Sequence, residues 1–319
     1  MNKELLITID YKPDIGGVAR YLDNYVKENS LDVLAPKNKI ADIKSGVFRH
    51  TLLWSLWPKW LPLIFWGWFY GRKYERIIIS HVLPSGYLFF FLNKPYTIIL
   101  HGLDIVNISK SGRKRYFAKI ILDKADKIIV NSEATGRLLQ TIFRRVYNYQ
   151  VRYPKVEKLP EPTKDFKKIN NLEGRKVILS LGRLVKRKGQ EKVIKLMPRI
   201  LQVVENAVFV IAGEGPYKKE LKKLVNDLRL SDNVIFLGKI SEKELANVYS
   251  GCDIFVLTAL PSNDNWEGFG MVCLEVDQFD KPVIVSNVGG LPEAVKQCKD
   301  GYVISTDEEL EKILINLLN

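Results

Sequence analysis

Cysteine, histidine and methionine each occur only three times in 319 residues. Cys252, Cys273 and Cys298 share no C-x-x-C spacing, which excludes the usual thiolate metal sites and dithiol redox motifs. Free thiols in a reducing compartment are the expectation. His50, His81 and His101 stand singly, so no metal-ligand pattern forms and neither a metal nor another cofactor is expected. There is no G-x-G-x-x-G; GEGP, residues 213–216, lacks the third glycine, which argues against a dinucleotide dehydrogenase. RNP, zinc-finger and helix-turn-helix signatures are missing as well, and nucleic acid is not an expected partner.

Uninterrupted hydrophobic runs of membrane-spanning length are also missing. Residues 51–70 (TLLWSLWPKWLPLIFWGWFY) carry a single charge, Lys59, but Pro58, Pro62 and Gly67 break them. Their apolar content is largely tryptophan, which favours a membrane interface over a bilayer centre. The opening MNKELLITID enters a strand pattern at once, leaving no room for a secretory signal, so a cytoplasmic location is expected.

Positive charge is abundant and unevenly placed. Residues 1–165 carry 27 Lys and Arg against 15 Asp and Glu, and residues 166–319 carry 22 against 21. An anionic partner for the first half follows: a membrane surface, nucleic acid or an acidic ligand. Short β-rich apolar runs alternate with helical patterns throughout, the mark of βα units and parallel sheets. Strands are expected at residues 5–10, 32–35, 76–81, 96–102 and 127–131, then at 176–181, 208–212, 234–237, 254–258 and 283–286. Between the two sets, YPKVEKLPEPTKDFKK (153–168) reads as a linker. The expected architecture is α/β: two doubly wound, Rossmann-like domains, 1–160 and 161–319, facing across a cleft. Ligands then bind beyond the carboxyl ends of the strands.

Three motifs fall at such places. Gly16 and Gly17 follow the first strand and open a helix, where bare backbone N–H groups can meet an anion. The first strand of the second half empties into GRLVKRKG, whose Arg183 and Lys188 beside the glycines suit a diphosphate. Lys186 and Arg187 read as solvated. EGFGMVCLE then sets Glu267 and Glu275 eight residues apart with a helix opening after the first. Eight helical residues turn through about 80° beyond two full turns, so both acids are expected to address one side. Glu275, inside an apolar helix, needs a partner such as a ribose diol or a structural ion pair.

Together with PVIVSNVGGLPEAV and HGLDI (101–105), these segments resemble the retaining GT-B glycosyltransferases of family 4. The likeness covers nearly the whole chain, and the PSNDNWEGFG loop is similar to the phosphatidylinositol mannosyltransferase branch. The resemblance implies a donor diphosphate bound by Arg183 and Lys188, with ribose hydroxyls on Glu275. It places the donor sugar on Glu267 with the amides of Gly268, Phe269 and Gly270, and the base near Gly238, Lys239 and Ile240. His101 would touch the sugar near the reacting carbon, and Gly16 and Gly17 would close over the phosphates. It further implies a GDP- or UDP-linked hexose donor, GDP-mannose first, and a lipid-linked or glycan acceptor at the inner face of the cell membrane. The alternatives are a UDP-sugar-dependent transferase with a soluble acceptor, an epimerase or phosphorylase on the same fold and, more remotely, a non-enzymatic nucleic-acid-binding protein. Three departures stand out: Asp280 replaces a turn glycine, the linker lacks an Asn-Gly turn, and the family's further C-terminal helices do not follow Asn319.

Overall fold

The computed structural model describes residues 3–12, 16–37, 46–261 and 266–319. It divides the chain into two compact units, Met1–Lys155 and Val156–Asn319. The first is built on β1 (Glu4–Ile7), β2 (Asp32–Pro36), β3 (Val47–His50), β4 (Arg76–Ser80), β5 (Tyr96–Leu100), β6 (Lys127–Val130) and β7 (Gln150–Val151). They form one parallel sheet in the order β3-β2-β1-β4-β5-β6-β7. A parallel sheet covered on both faces needs strands without an outward polar side. β1 and β4 satisfy this: Leu5, Leu6, Ile7, Ile77 and Ile79 are all fully buried. Burying each such side chain favours folding by about 1.5–3 kcal/mol.

The tryptophan-rich run yields an eleven-residue helix, Leu61–Gly71, with Pro62 in its first turn where no N–H is required. Leu63 and Ile64 face the core, and Trp60 and Trp66 pack against it. Trp57 stays 87% exposed. Among the described residues no helix is long and apolar enough to cross a membrane.

The second unit holds β8 (Lys176–Leu181), β9 (Ala207–Ala212), β10 (Val234–Gly238), β11 (Ile254–Leu257), β12 (Val283–Ser286) and β13 (Gly301–Ile304). These are parallel in the order β10-β9-β8-β11-β12-β13. Alternate residues of each strand feed opposite cores. Val177, Leu179, Val210 and Phe255 lie on one face, and Ile178, Phe209, Ile211 and Ile254 on the other. Helix Asp307–Leu318 starts at a capping box, Thr306 with Glu309, and buries Leu310, Leu314 and Leu318. Lys192 pairs with Asp307 at 2.9 Å and ties this helix to the one at Gln190–Leu201.

The proline- and charge-rich stretch is bound to both units. Asn24 donates to the Lys155 carbonyl, and Lys155 pairs with Glu28. Beyond it, the Leu159 amide donates to Gln278 Oε1, the Thr163 amide donates to Asn247 Oδ1, and Phe166 is buried in the second core.

Candidate functional site

In the second unit the strand order reverses between β8 and β11, which opens a crevice at the carboxyl ends of these strands. Five loops converge there by pressing backbone against backbone. Gly189 has φ +70°, and a Cβ on it would sit 1.9 Å from the Thr258 carbonyl oxygen. Only glycine fits, and Thr258 Oγ1 then donates to the Gly189 carbonyl at 2.8 Å. The Leu260 amide donates to the Arg187 carbonyl at 2.8 Å. The loop after β8 is thereby fastened to the loop after β11.

That fastening gathers the charged groups. Glu267 accepts from Lys188 Nζ at 3.0 Å on one oxygen and from Arg187 Nη1 on the other. Burial alone would raise the pKa of Glu267; Lys188 and Arg187 outweigh it and hold the carboxyl below its ordinary value. The Glu267 carbonyl accepts from the Gly290 amide at 3.0 Å, so the loop after β12 fixes its backbone too. Arg187 therefore belongs to the site, contrary to its reading as a solvated cation. A run of adjacent cations does not show which of them has a carboxylate 80 residues away.

Arg183 lies on the same loop but is exposed, and its side chain forms no ion pair among the described residues. Gly182, Gly213 and Gly238 align at the ends of β8, β9 and β10: the Gly182 amide donates to Ala212 and the Gly213 amide to Gly238 at 2.7 Å. Lys239 is exposed, and Ile240 packs on the core's edge. Phe269 is buried, and Gly268 lies against Gly290.

The expected shared face of Glu267 and Glu275 is not formed. Gly270 takes φ +89°, and the helix begins only at Met271, running to Asp277. Glu267 therefore precedes the helix, and helical phase does not relate the two acids. Glu275 is 5% exposed and accepts from Tyr249 Oη at 2.8 Å. Tyr249, fully buried on helix Leu245–Gly251, meets the need for a partner and had no signal in the sequence beyond being aromatic.

The first unit holds the remaining candidates. Gly16 and Gly17 open helix Gly17–Asn29, are exposed, and would place a Cβ with no described atom within 4 Å. The described neighbouring atoms leave room for side chains there. His101 follows β5 and is 6% exposed. Its amide donates to Asp104 Oδ1 at 3.1 Å, its ring meets Tyr21 edge-on, and Nε2 lies 3.0 Å from Ser80 Oγ. Burial, then the nearby His81, keeps its pKa well below the usual histidine value. Among the described residues no three His, Cys, Asp or Glu side chains gather into a metal-holding group.

Residues 162–319 match the family model described as glycosyl transferases group 1. The chain is 35% identical over 356 residues to the GDP-mannose-dependent monoacylated alpha-(1-6)-phosphatidylinositol monomannoside mannosyltransferase of Corynebacterium glutamicum, covering 99% of this chain and 89% of that one. It is 28% identical over 334 residues to the GDP-mannose-dependent alpha-(1-6)-phosphatidylinositol monomannoside mannosyltransferase of Mycobacterium tuberculosis, covering 95% and 85%. Among solved structures, HepE of Anabaena in complex with UDP and glucose superposes with a TM-score of 0.79 at 20% identity, covering 98% of this chain and 89% of that one.

Proposed function

Because this chain belongs to the group 1 glycosyltransferases, enzymes of family 4 with the GT-B fold, we propose that it moves mannose from GDP-mannose, with retention of configuration, to a lipid-linked acceptor at an anionic membrane surface. The carrying observation is the Arg187–Glu267–Lys188 cluster at the strand ends, with the exposed Arg183 on the same loop. Glycosyl transfer from a nucleotide-sugar builds negative charge on the departing diphosphate as the sugar acquires oxocarbenium character. Cations already fixed by a carboxylate need little reorganisation to meet that charge. Arg183 and Lys188 take the diphosphate, Glu275 the ribose, and Glu267 with the Gly268–Gly270 backbone the sugar. Gly238, Lys239 and Ile240 border the base, His101 contacts the sugar, and Gly16 and Gly17 approach the phosphates. The departing phosphate accepts the acceptor's proton, and side chains supply the positive charge without a metal ion.

Mannose and lipid are favoured because both curated relatives above are named as GDP-mannose-dependent enzymes of phosphatidylinositol mannosides. The first unit suits such an acceptor. A groove of about 850 Å³ is lined by Trp54, Leu61, Phe65, Trp68 and Phe91, and also by Lys37 just after β2. Apolar walls with a cation fit an alkyl chain ending in an anionic headgroup.

Thermal unfolding with GDP, UDP and ADP tests the donor, since a ligand that binds only the folded state raises stability by mass action. GDP should stabilise most, and radiolabelled GDP-mannose should pass label into a chloroform-soluble product with EDTA present. Stabilisation by UDP alone would replace the donor by a UDP-sugar. Conversion of the donor without any acceptor would favour an epimerase.

A further inference from the structure

Asp10 after β1, Ser80 and His81 at the end of β4, and His101 after β5 form a line of four polar groups. Asp10 Oδ2 lies 3.3 Å from His81 Nε2, His81 Nδ1 lies 3.1 Å from Ser80 Oγ, and Ser80 Oγ lies 3.0 Å from His101 Nε2. Ser80 is fully buried, and the His101 side of the line is closed by Tyr21. His81 is held at φ +76°, a left-handed backbone unusual for histidine and costing about 1–3 kcal/mol. Its amide still donates to Ile99 at 3.1 Å, so the sheet holds this backbone in place. A strained residue whose ring bridges a carboxylate and a buried hydroxyl calls for an explanation in the chemistry of the two rings.

A serine hydroxyl has one proton, so it donates to one imidazole and accepts from the other. When His81 is neutral, its Nε2–H points to Asp10 and its bare Nδ1 accepts from Ser80. Ser80 Oγ must then accept from His101 Nε2–H, which leaves His101 Nδ1 bare. When His81 is doubly protonated, Nδ1–H donates to Ser80, the hydroxyl turns to donate to His101 Nε2, and the His101 proton resides on Nδ1. The two states differ by one proton, gained at His81 Nδ1. A proton arriving at His101 Nδ1 achieves the same change if Nε2–H passes to Ser80 and the serine proton passes to His81.

We propose that Ser80 couples the two histidines into a tautomer switch, so that protonation of His81 converts His101 Nδ1 from a hydrogen-bond acceptor into a donor. His101 Nδ1 makes no hydrogen bond among the described residues, so it is the atom left for a ligand hydroxyl. His101 itself remains neutral in both states, because burial and then His81 depress its pKa. The groups facing His81 are Asp10 after β1, His101 after β5, and Asp104 on the helix behind it; burial raises the pKa of Asp104. On the reading that His101 touches the donor sugar, the state with His81 neutral accepts from a sugar hydroxyl and the state with His81 protonated does not. Ser80 and His81 are then positioning residues for His101.

Three histidines make the test direct, because ¹⁵N imidazole spectra of the full chain hold only three rings. His50→Gln assigns the third. In the unsubstituted protein, His101 should carry its proton on Nε2 above the titration of His81 and on Nδ1 below it. His81→Asn keeps a residue that tolerates φ > 0 but cannot titrate; there the His101 tautomer should not change with pH. Ser80→Ala should uncouple the two rings, and if it fails to fold, the pH series and His81→Asn decide alone. A His101 tautomer that ignores the titration of His81, or changes equally in His81→Asn, overturns the switch. Turnover separates the switch from the site reading: kcat should fall roughly 10-fold per pH unit on the acid limb, and His81→Asn should remove that limb. A clear spectral switch with full activity in His101→Ala would keep the switch and remove His101 from the sugar site. Loss of activity in His101→Ala with no spectral switch would do the reverse.

Discussion

Lys188 Nζ lies 3.0 Å from Glu267 Oε1, joining two residues 79 apart in the chain, each with only 12% of its side chain exposed. Arg187 takes the other carboxylate oxygen. Replacing one partner of such a pair leaves buried charge uncompensated, which costs about 3 kcal/mol or more. Glu267→Gln should therefore unfold at lower temperature and lose most transfer activity. Its pH dependence has a definite sign. The folded carboxyl is held below its ordinary value, so it contributes stability above the unfolded-state pKa, and that contribution is lost as pH falls through the folded value. Denaturant unfolding from pH 7 downward should show a smaller acid loss in Glu267→Gln. Equal acid slopes in the two proteins would remove Glu267 from that account.

Arg183 and Lys188 sit on one loop in different settings: Arg183 is exposed with no ion pair among the described residues, and Lys188 is largely buried and paired. Arg183→Ala should leave the unfolding temperature within a degree or two while lowering turnover by about 10²-fold. Lys188→Ala should lower turnover similarly and also destabilise, because Glu267 loses a cation. If both serve one diphosphate, the double variant should fall well short of the product of the single effects. Two small multiplicative losses would return both to the solvated surface.

Glu275 and Tyr249 form a buried donor–acceptor pair, so their variants should differ in kind. Tyr249→Phe removes one hydrogen bond to the carboxylate at a cost of about 1–3 kcal/mol. It should lower the unfolding temperature while keeping most of the stabilisation that GDP confers. Glu275→Ala should lose most of that GDP-dependent increment as well as activity, because the ribose contact goes with it. A full increment in Glu275→Ala would reduce the residue to a core acid.

The central strands were legible because each is a short apolar run between turn residues, as in RIIIS at β4 or AVFVIA at β9. β3, β7 and β13 were not, because β7 has only two residues and VFRH and GYVI lack a continuous apolar run; β10, also an edge strand, was legible because VIFL is one. Asp280 at the expected glycine turn was legible and takes φ +54°. The relation of Glu267 to Glu275 was misread because spacing presumes a continuous helix, and Gly270 ends that presumption at φ +89°. His81 and Tyr249 carried no local signal, since both act through partners supplied by other elements.

Membrane docking by the first unit is the prediction on which the lipid acceptor most depends. Trp57 is 87% exposed, Leu56 76%, Tyr116 64% and Phe91 61%, well beyond the scattered exposure usual for apolar residues. The aromatics are also connected. Trp60 meets Tyr87 at 5.0 Å, Tyr87 meets Phe117 at 5.8 Å, and Phe117 meets both Phe90 and Tyr116. Phe117 and Tyr116 sit on helix Gly112–Asp123, which also carries Arg113, Lys114 and Arg115, all exposed. Each cation near anionic lipid contributes about 1 kcal/mol, and interfacial tryptophan adds an apolar anchor. Flotation with vesicles should show binding that rises with anionic lipid and falls with salt. Lys114→Glu with Arg115→Glu should weaken it by about 10-fold or more, and Trp57→Ala should weaken it at every salt concentration. Neither change should alter GDP-dependent thermal stabilisation, because none of the three residues lies in the second unit. Equal recovery with neutral and anionic vesicles, or none with either, would exclude charge-assisted docking and point to a soluble acceptor.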